Sequence, residues 1–422
     1  MGRGALGAVA VVGALGGVVL VGSVPAAALS GAGTAVAPGV VYESRDLEVA
    51  KGPTRIHLLT VDLRTPGVRL GLLYPGKVAA RAAVSVMADR QGAVAGVNGD
   101  FFHISETQHP GVPVTGASVG PAVARGRVLK GAVPNGQRFG PAPPPGTGTE
   151  DVLTVGRDRR VRLDRLTLDG SVRGDAGTTA LGGLNQYALP VGSVGAFTED
   201  WGSASRLRAT CGTDTDRAAP CSTDTHEITV RDGRVVGTAG RPGAGAIPAG
   251  TTVLVGREEG AHRLREYEVG ERVRVSHRLT GSSAGAGSGA GSRRAPLLAV
   301  GGCPVLRGGQ PLPGLDDRTA AVRTAAGIAD GGRRLFLFAV DGTAGRAGLT
   351  VAEVSRLLRD LGATDGFGLD GGGSTTLVAR DPGGTSVTVR NHPSAGAERA
   401  VPNGIGVFSG AGAGAGTAAG TP

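Results

Sequence analysis

Three times in this sequence a short apolar run stops at an aspartate beside glycine, and that pattern narrows the available folds more than any other feature. Ala93 to Val97 runs into Asn98-Gly99-Asp100, and Leu335 to Val340 into Asp341-Gly342. A segment through Phe367 and Leu369 runs into Asp370-Gly371-Gly372-Gly373-Ser374. Runs of this length bounded by turn residues read as buried strands. Glycine just after a strand permits left-handed backbone or close approach by another segment, so the aspartate can project from a rigid scaffold. A single Asp-Gly is a hairpin turn by default. Three at strand ends, two of them reached through helix–glycine–strand units, point toward a carboxylate-lined, anion-binding crevice.

The surrounding sequence supplies the elements that carry those ends. Ile56 to Leu63 and Val68 to Leu73 read as paired strands joined at Thr65-Pro66-Gly67. Val84, Met87 and Ala88 recur at helical spacing from Arg81 to Gln91, with Gly92 placed to close the helix. A second helix over Leu349 to Leu361 has a capping box, Thr350 with Glu353, and an apolar face of Val351, Val354, Leu357, Leu358 and Leu361 before Gly362. Between these parts, Glu150 to Thr280 alternates Val/Thr runs with turns such as Asp232-Gly233, bordered by low-complexity stretches at Gly140 to Gly148 and Gly281 to Ser292. The fold class that follows is α+β, a β-rich mixed sheet core with a few flanking helices and a β-rich middle insertion over 141–297.

Composition removes several functions. The chain has 422 residues, 40% hydrophobic, with a net charge of +9, which suits a folded protein with a sizeable core. Its 77 glycines lack a Gly-X-Y period, and aromatics are only 3%, too few for stacking on nucleic acid. The basic residues are nearly all arginine and are spread along the chain; the lysines are Lys51, Lys77 and Lys130. No nucleic-acid partner is expected, whereas an anionic cell wall or a phosphate-rich substrate is compatible with the charge.

Arg3, the charge-free run Ala5 to Gly22 and Ala26-Ala27-Ala28 predict a signal peptide over 1–28, hence a secreted or cell-wall-associated protein that meets the membrane only if that peptide stays uncleaved. Residues 29–45 read as a flexible lead and 409–422 as a disordered Gly/Ala tail, leaving 46–408 as the working domain. Cys211 and Cys221 bracket a short polar loop and are expected to form a disulfide, consistent with export. Cys303 is then left as a buried thiol, with no neighbouring His or Asn placed to activate it.

Other motifs are weaker. Gly371 to Thr375 lacks the lysine and spacing of a P-loop, and Gly366-Phe-Gly368-Leu-Asp-Gly371 is followed by an extended segment rather than a helix opening on a dinucleotide. Gly116-Ala-Ser118-Val-Gly120 has the letters of a nucleophile elbow but stands between Pro113 and Pro121, so Ser118 reads as a loop residue. Clustered Asp and Asn oxygens leave a divalent cation, Ca²⁺ or Mg²⁺, open. The remaining histidines, His57 and His392 among them, form no ligand pattern.

Taken in order, Gly96-Val-Asn98-Gly99-Asp100-Phe-Phe102, Arg323-Thr324-Ala-Ala-Gly327, Val340-Asp341-Gly342, the capped helix, Leu369-Asp370-Gly-Gly-Gly-Ser374-Thr375-Thr and Arg399 to Phe408 resemble the phosphodiester glycosidase family. That family includes the lysosomal uncovering enzyme, N-acetylglucosamine-1-phosphodiester α-N-acetylglucosaminidase. The likeness runs from Val49 to Phe408, loosely over Glu150 to Arg294. It implies hydrolysis of the bond between a sugar anomeric carbon and a phosphodiester oxygen in a glycan or glycosyl-phosphate substrate. It further implies a site with Asp100, Arg323, Asp341 and Asp370 as the catalytic set. Asn98, Gly99, Thr324, Gly342, Gly371, Gly372, Gly373, Ser374, Thr375 and Arg399 would line it. Chemical reasoning assigns Arg323 and the Gly371 to Ser374 backbone to the phosphate. It gives Asp341 or Asp370 to the anomeric centre, and Asp100 with Asn98 to sugar hydroxyls or a metal. A non-catalytic wall-binding protein and a metal-dependent phosphodiesterase stand as alternatives, and the oligomeric state is open.

Overall fold

Period-two burial along the strand Gly52–Asp62 explains the centre of the molecule. Ile56 and Leu58 join one apolar cluster with Phe336, Phe338 and Val340, whereas Leu59 and Val61 join the main core with Leu335, Leu337 and Ala339. A strand buried on both faces belongs inside a sheet packed on both sides. Gly52–Asp62 pairs with Val40–Val49 on one edge and Arg334–Val340 on the other, both antiparallel. The eight-stranded sheet runs Thr34–Ala37, Val40–Val49, Gly52–Asp62, Arg334–Val340, Thr324–Ala329, Asp365–Gly368, Cys303–Arg307, Gln310–Pro311. This computed structural model describes Met1 and residues 33–175, 177–281 and 295–410. The predicted signal peptide beyond Met1, nearly all of the Gly281 to Ser292 stretch and the tail beyond Gly410 lie outside the described residues.

Three helices are present among the described residues: α1 (Val84–Gln91), α2 (Glu259–Arg265) and α3 (Val351–Asp360). The α3 capping box forms as predicted, with Thr350 Oγ1 accepting the Glu353 amide and Glu353 Oε2 accepting the Thr350 amide. Its Leu358 lies directly over Gly327 and Gly366, where an added Cβ would come within 2.8 and 2.7 Å of the leucine methyls. Helix α1 closes at left-handed Gly92 (φ 75°) and packs Val84, Met87 and Ala88 against Val378 and Phe408. It starts after Arg81, the predicted first residue, because Ala82 is bridged to Val401 and Ala83 is extended.

A five-stranded sheet, Val387–Val389, Leu377–Arg380, Ala95–Asn98, Gly404–Phe408, Arg69–Leu73, lies beside the first. It corrects the predicted hairpin of Ile56 to Leu63 with Val68 to Leu73. Both edges of Gly52–Asp62 are already occupied, so after the Thr65-Pro66-Gly67 turn the chain crosses to the second sheet, where Gly71 leaves room for the Phe408 ring.

The predicted flexible lead is also ordered in part: Thr34–Ala37 and Val40–Val49 are strands paired with each other. The middle segment does not close on itself. Its strands form an eleven-stranded sheet that continues through Leu298–Gly301, Ala122–Ala124 and Arg127–Lys130, outside 141–297. Its Asp232-Gly233 hairpin joins Thr225–Arg231 to Arg234–Ala239, with both turn residues at positive φ (50° and 72°). The architecture is a β-rich α+β fold, and among the described residues no helix is long and apolar enough to cross a membrane.

Candidate functional site

Two of the three Asp-Gly ends, those of Asp100 and Asp370, meet between the five- and eight-stranded sheets, and Asn98 is the pin between them. Its Nδ2 donates to the Asp370 carbonyl at 2.7 Å, and its Oδ1 accepts the Thr324 hydroxyl at 2.8 Å and the Thr376 amide at 3.0 Å. The Asp370 amide donates to the Gly99 carbonyl at 2.9 Å, and the Gly99 amide to the Asn403 carbonyl at 2.9 Å. Asn98 and Thr324 are therefore fully buried and committed to each other rather than to a ligand.

Asp370 is the part-buried carboxylate at the start of the glycine turn. Burial and the charge of Asp100 push its pKa up to about 6, against the pull of the Ser374 hydroxyl, Arg399 and the Gly371 amide. Arg399 lies across the glycine turn: its Nη1 donates to Ser374 Oγ at 3.2 Å, and a Cβ on Gly373 would fall 2.3 Å from Nη2. Glycine at 373 is thus what lets the guanidinium rest on the turn. The predicted phosphate cradle of Gly371 to Ser374 amides is only partly available. The Gly371 amide bonds Asp370 Oδ1, that of Gly372 bonds the Val322 carbonyl and that of Ser374 bonds the Gly371 carbonyl. The tight turn, with Gly372 at φ 58°, satisfies its own donors, and the Gly373 amide has no bonded partner among the described residues.

Asp100 sits deeper, 2% exposed, with Oδ2 accepting the Gly120 amide at 2.6 Å and its own amide donating to Asn403 Oδ1 at 2.9 Å. Oδ1 is buried without a hydrogen-bond partner. Burial pushes its pKa up, opposed chiefly by the buried ammonium of Lys130 and then by the Gly120 amide and Arg138. Arg138 stacks on the Phe101 ring, 4.3 Å from its centroid.

Asp341 belongs to a neighbouring cluster. Its Oδ1 accepts the His392 amide at 2.6 Å and faces His392 Nδ1 at 3.0 Å, while the Thr343 hydroxyl donates to Oδ2 at 3.1 Å. Burial would raise this carboxyl, but the His392 amide, the Thr343 hydroxyl and the His392 ring hold it below the ordinary value. Buried His57 lies behind it, with Nε2 3.9 Å from Asp341 Oδ1 and Nδ1 bonded to Tyr42 Oη at 2.8 Å. Burial drops the His57 pKa to about 4, so the ring is neutral near pH 7. Gly342 lets the His392 to Ser394 loop close over this cluster, since a Cβ there would lie 2.5 Å from the Ser394 amide. His57 and His392 carry no sequence signal because they are remote in the chain and meet only through the fold; the same is true of Asn403, Lys130 and Arg138.

Arg323 donates from Nε to the Leu349 carbonyl at 3.0 Å and from Nη2 to the Thr319 carbonyl at 2.8 Å, bracing the entry to α3. Thr375 is buried, with an unpartnered hydroxyl, beneath the turn. Of the oxygens at which the sequence leaves a cation open, that of Asn98 is already taken by Thr324 and Thr376, and Asp100 Oδ2 is taken by the Gly120 amide while Oδ1 has no partner. Among the described residues the one His/Cys/carboxylate group with ligand-like spacing is His109 with Cys211 and Cys221. Those two cysteines are joined as a disulfide, and Cys303 is free and part-buried. Ser118 is buried in a bridge to Phe102, with no helix after it.

The phosphodiester glycosidase family model matches residues 224–408. The match holds Arg323, Asp341, Asp370 and Arg399 and leaves out Asn98 and Asp100, whose strand nevertheless pairs between Leu377–Arg380 and Gly404–Phe408 inside it. A hypothetical protein from Synechocystis has a similar fold (TM-score 0.64, 20% identity over 88% of this chain and 62% of that one). The alignment thus spans less than two thirds of the Synechocystis chain. A protein of Burkholderia pseudomallei named as exported also has a similar fold (TM-score 0.63, 23% identity, 84% of this chain and 74% of that one). The zebrafish N-acetylglucosamine-1-phosphodiester α-N-acetylglucosaminidase catalytic domain aligns at TM-score 0.42 and 15% identity, over 88% of this chain and 83% of that one. No curated protein matches the chain.

Proposed function

We propose, from the match of the phosphodiester glycosidase family model to residues 224–408, that the chain is an exported hydrolase cleaving the bond between a sugar anomeric carbon and a phosphodiester oxygen. The observation that supports this most directly is that Asp370, a part-buried carboxylate, and the Arg399 guanidinium, held over Gly373 and bonded to Ser374, flank one glycine turn closely enough for the guanidinium to lower the carboxyl's pKa. A carboxylate stabilises the positive charge that develops at an anomeric carbon, and a guanidinium takes the departing phosphate.

In this reading the C1–O bond breaks with its electron pair going to the phosphate oxygen, water adds at C1, and the proton water loses is released to the phosphate or solvent. The leaving group is a phosphate monoester whose second pKa is about 6, so a cation clamp contributes more than a proton donor. Asp341, kept ionised by Thr343 and His392, adds negative potential on the sugar side. Asp100 and Asn98 serve from behind, not as sugar ligands. Export rests on Arg3, the apolar run Ala5 to Gly22 and the Ala-x-Ala site.

The test is incubation of the purified mature chain with GlcNAc-1-phosphodiester and teichoic-acid-like substrates. Release of free sugar together with a phosphate monoester supports the proposal. Binding without turnover across the panel assigns a glycan-phosphate binding protein instead.

A further inference from the structure

Lys130 is one of three lysines in the chain and is 1% exposed. Its Nζ donates to three carbonyls, those of Val119, Gly120 and Gly131, and makes no ion pair with a carboxylate among the described residues. The Val119 carbonyl and the Gly120 amide belong to one peptide unit. That unit accepts from Lys130 on one side, at 3.2 Å, and donates to Asp100 Oδ2 on the other, at 2.6 Å. An ammonium bonded to the carbonyl of a peptide polarises its N–H, which strengthens the bond that N–H makes to a carboxylate.

The surroundings force this path. A Cβ on Gly301 would stand 2.4 Å from Asp100 Oδ2, and one on Gly120 3.2 Å from it, so glycine on both walls seats the carboxylate against that peptide. Asn403 fixes the Asp100 amide, and one residue before it the Gly99 carbonyl takes the Asp370 amide. Lys130, the Val119–Gly120 peptide, Asp100 and Asp370 therefore form one connected series from the interior to the part-buried glycine turn.

We propose that Lys130 is a positioning residue whose ammonium, acting through the Val119–Gly120 peptide, holds the negative charge of Asp100 and thereby tunes Asp370. The charged or titratable groups that bear on Asp100 are Lys130, Arg138, Asp370, Tyr187 and Cys303. Of these, Lys130 is the amine buried at 1% exposure, its pKa lowered by that burial against the pull of the Asp100 charge, and Asp370 is the group whose protonation bears on the proposed reaction. The proposal rests on Asp370 as the working carboxylate of the proposed function.

Without Lys130 the buried Asp100 carboxylate loses its main counter-charge and takes a proton near neutral pH. Asp370 then loses a like-charged neighbour and ionises more readily, so its titration moves to lower pH. Carboxyl NMR of ¹³C-aspartate-labelled protein reads this without any substrate. Lys130→Met and Asp100→Asn are each expected to lower the Asp370 inflection by about one pH unit, the double variant no further than the larger single effect, and Lys130→Arg much less. The pH–rate limb governed by Asp370 should move with it.

Should Lys130→Met not fold, titration of the wild-type lysine side chains gives the same answer, because Lys51 and Lys77 leave only one other ammonium to assign. Lys130 must be charged where Asp100 titrates. Inflections displaced as stated, with no turnover of any glycosyl phosphodiester, support the line of charge and sink the glycosidase reading alone. An unmoved Asp370 in Lys130→Met beside a moved one in Asp100→Asn reduces Lys130 to a structural clip and overturns the proposal, as does a Lys130 amine neutral across pH 5–8.

Discussion

Asn98 Oδ1 and the Thr324 hydroxyl lie 2.8 Å apart, and that bond joins the five-stranded sheet to the eight-stranded one directly beneath the crevice. Asn98→Ala strips partners from the Thr324 hydroxyl and the Thr376 amide, both buried. Each unsatisfied group costs about 1–3 kcal/mol, so urea denaturation should show a loss of about 2–6 kcal/mol and activity should fall with stability. Asn98→Ala with wild-type stability and no activity would instead make Asn98 a ligand for the substrate.

The two arginines near the glycine turn should separate cleanly. Arg399→Ala removes the guanidinium beside Ser374 and Asp370 and is expected to cut kcat/KM by about 10²–10³ with a near-native melting temperature. Arg323→Ala opens the carbonyls of Leu349 and Thr319 at the start of α3, so its loss should appear first in stability. Asp370→Asn should lower kcat by orders of magnitude while leaving the fold intact. The reverse pattern, with Arg323→Ala stable and inactive, would return the phosphate to Arg323.

Asp100 and Asp370 both carry pKa values above the ordinary aspartate value of 3.8, that of Asp370 at about 6. Between those values the native state binds more protons than the unfolded chain, so their contribution to stability falls as pH rises from about 4 to about 6. Asp341 works in the opposite sense, but below this window: its depressed value gives stability present above 3.8 and lost as pH drops through the folded value. Urea midpoints measured at pH 4.5 and pH 7 should therefore diverge less in Asp370→Asn than in the wild type. An equal divergence would mean that Asp370 is not shifted in the folded protein.

The strand ends that carry Asp100, Asp341 and Asp370 were legible because an apolar run followed by glycine is a local signal, as were the Thr350 and Glu353 box and the Asp232-Gly233 turn. Partner choice was not. Whether Arg69–Leu73 pairs with Gly52–Asp62 or with Gly404–Phe408 depends on which edges remain free after the whole chain has folded. The same limit applies to the site: nothing near Lys130 in the sequence points to a carboxylate thirty residues earlier, and His57 meets Asp341 only because Ala339 pairs with it across the sheet. The glycine turn was read as open amides because sequence shows where glycines fall, not which donors the turn consumes.

The disulfide loop offers a test independent of chemistry at the crevice. Cys211 and Cys221 enclose a stretch whose carbonyls at Thr213 and Asp216 accept Gln137 Nε2, and whose Arg217 donates to the Arg138 carbonyl at 2.8 Å. Replacing both cysteines by serine should cost about 2–3 kcal/mol through loop-closure entropy, read as a lower melting temperature that dithiothreitol also produces in the wild type. Turnover at temperatures where the variant is folded should persist. Cys303→Ser and Ser118→Ala should leave turnover close to wild type, since neither side chain has a base beside it.

Hydrolysis in ¹⁸O-labelled water should place the label on the sugar and none on the phosphate. Carboxylates at Asp370 and Asp341 favour a carbon centre that gains positive charge, whereas water directed at phosphorus needs an electron-poor site, usually two metal ions about 3.5–4 Å apart. The aspartates here do not offer such a pair: Asp100 Oδ2 is taken by the Gly120 amide, and Asp341 is taken up by His392 and Thr343. For the same reason EDTA should leave the rate unchanged. Mass spectrometry of the two products decides the matter. Label in the phosphate would identify a phosphodiesterase acting at phosphorus, and Asp370 would then have to be reassigned from the anomeric carbon to a metal or to the attacking water.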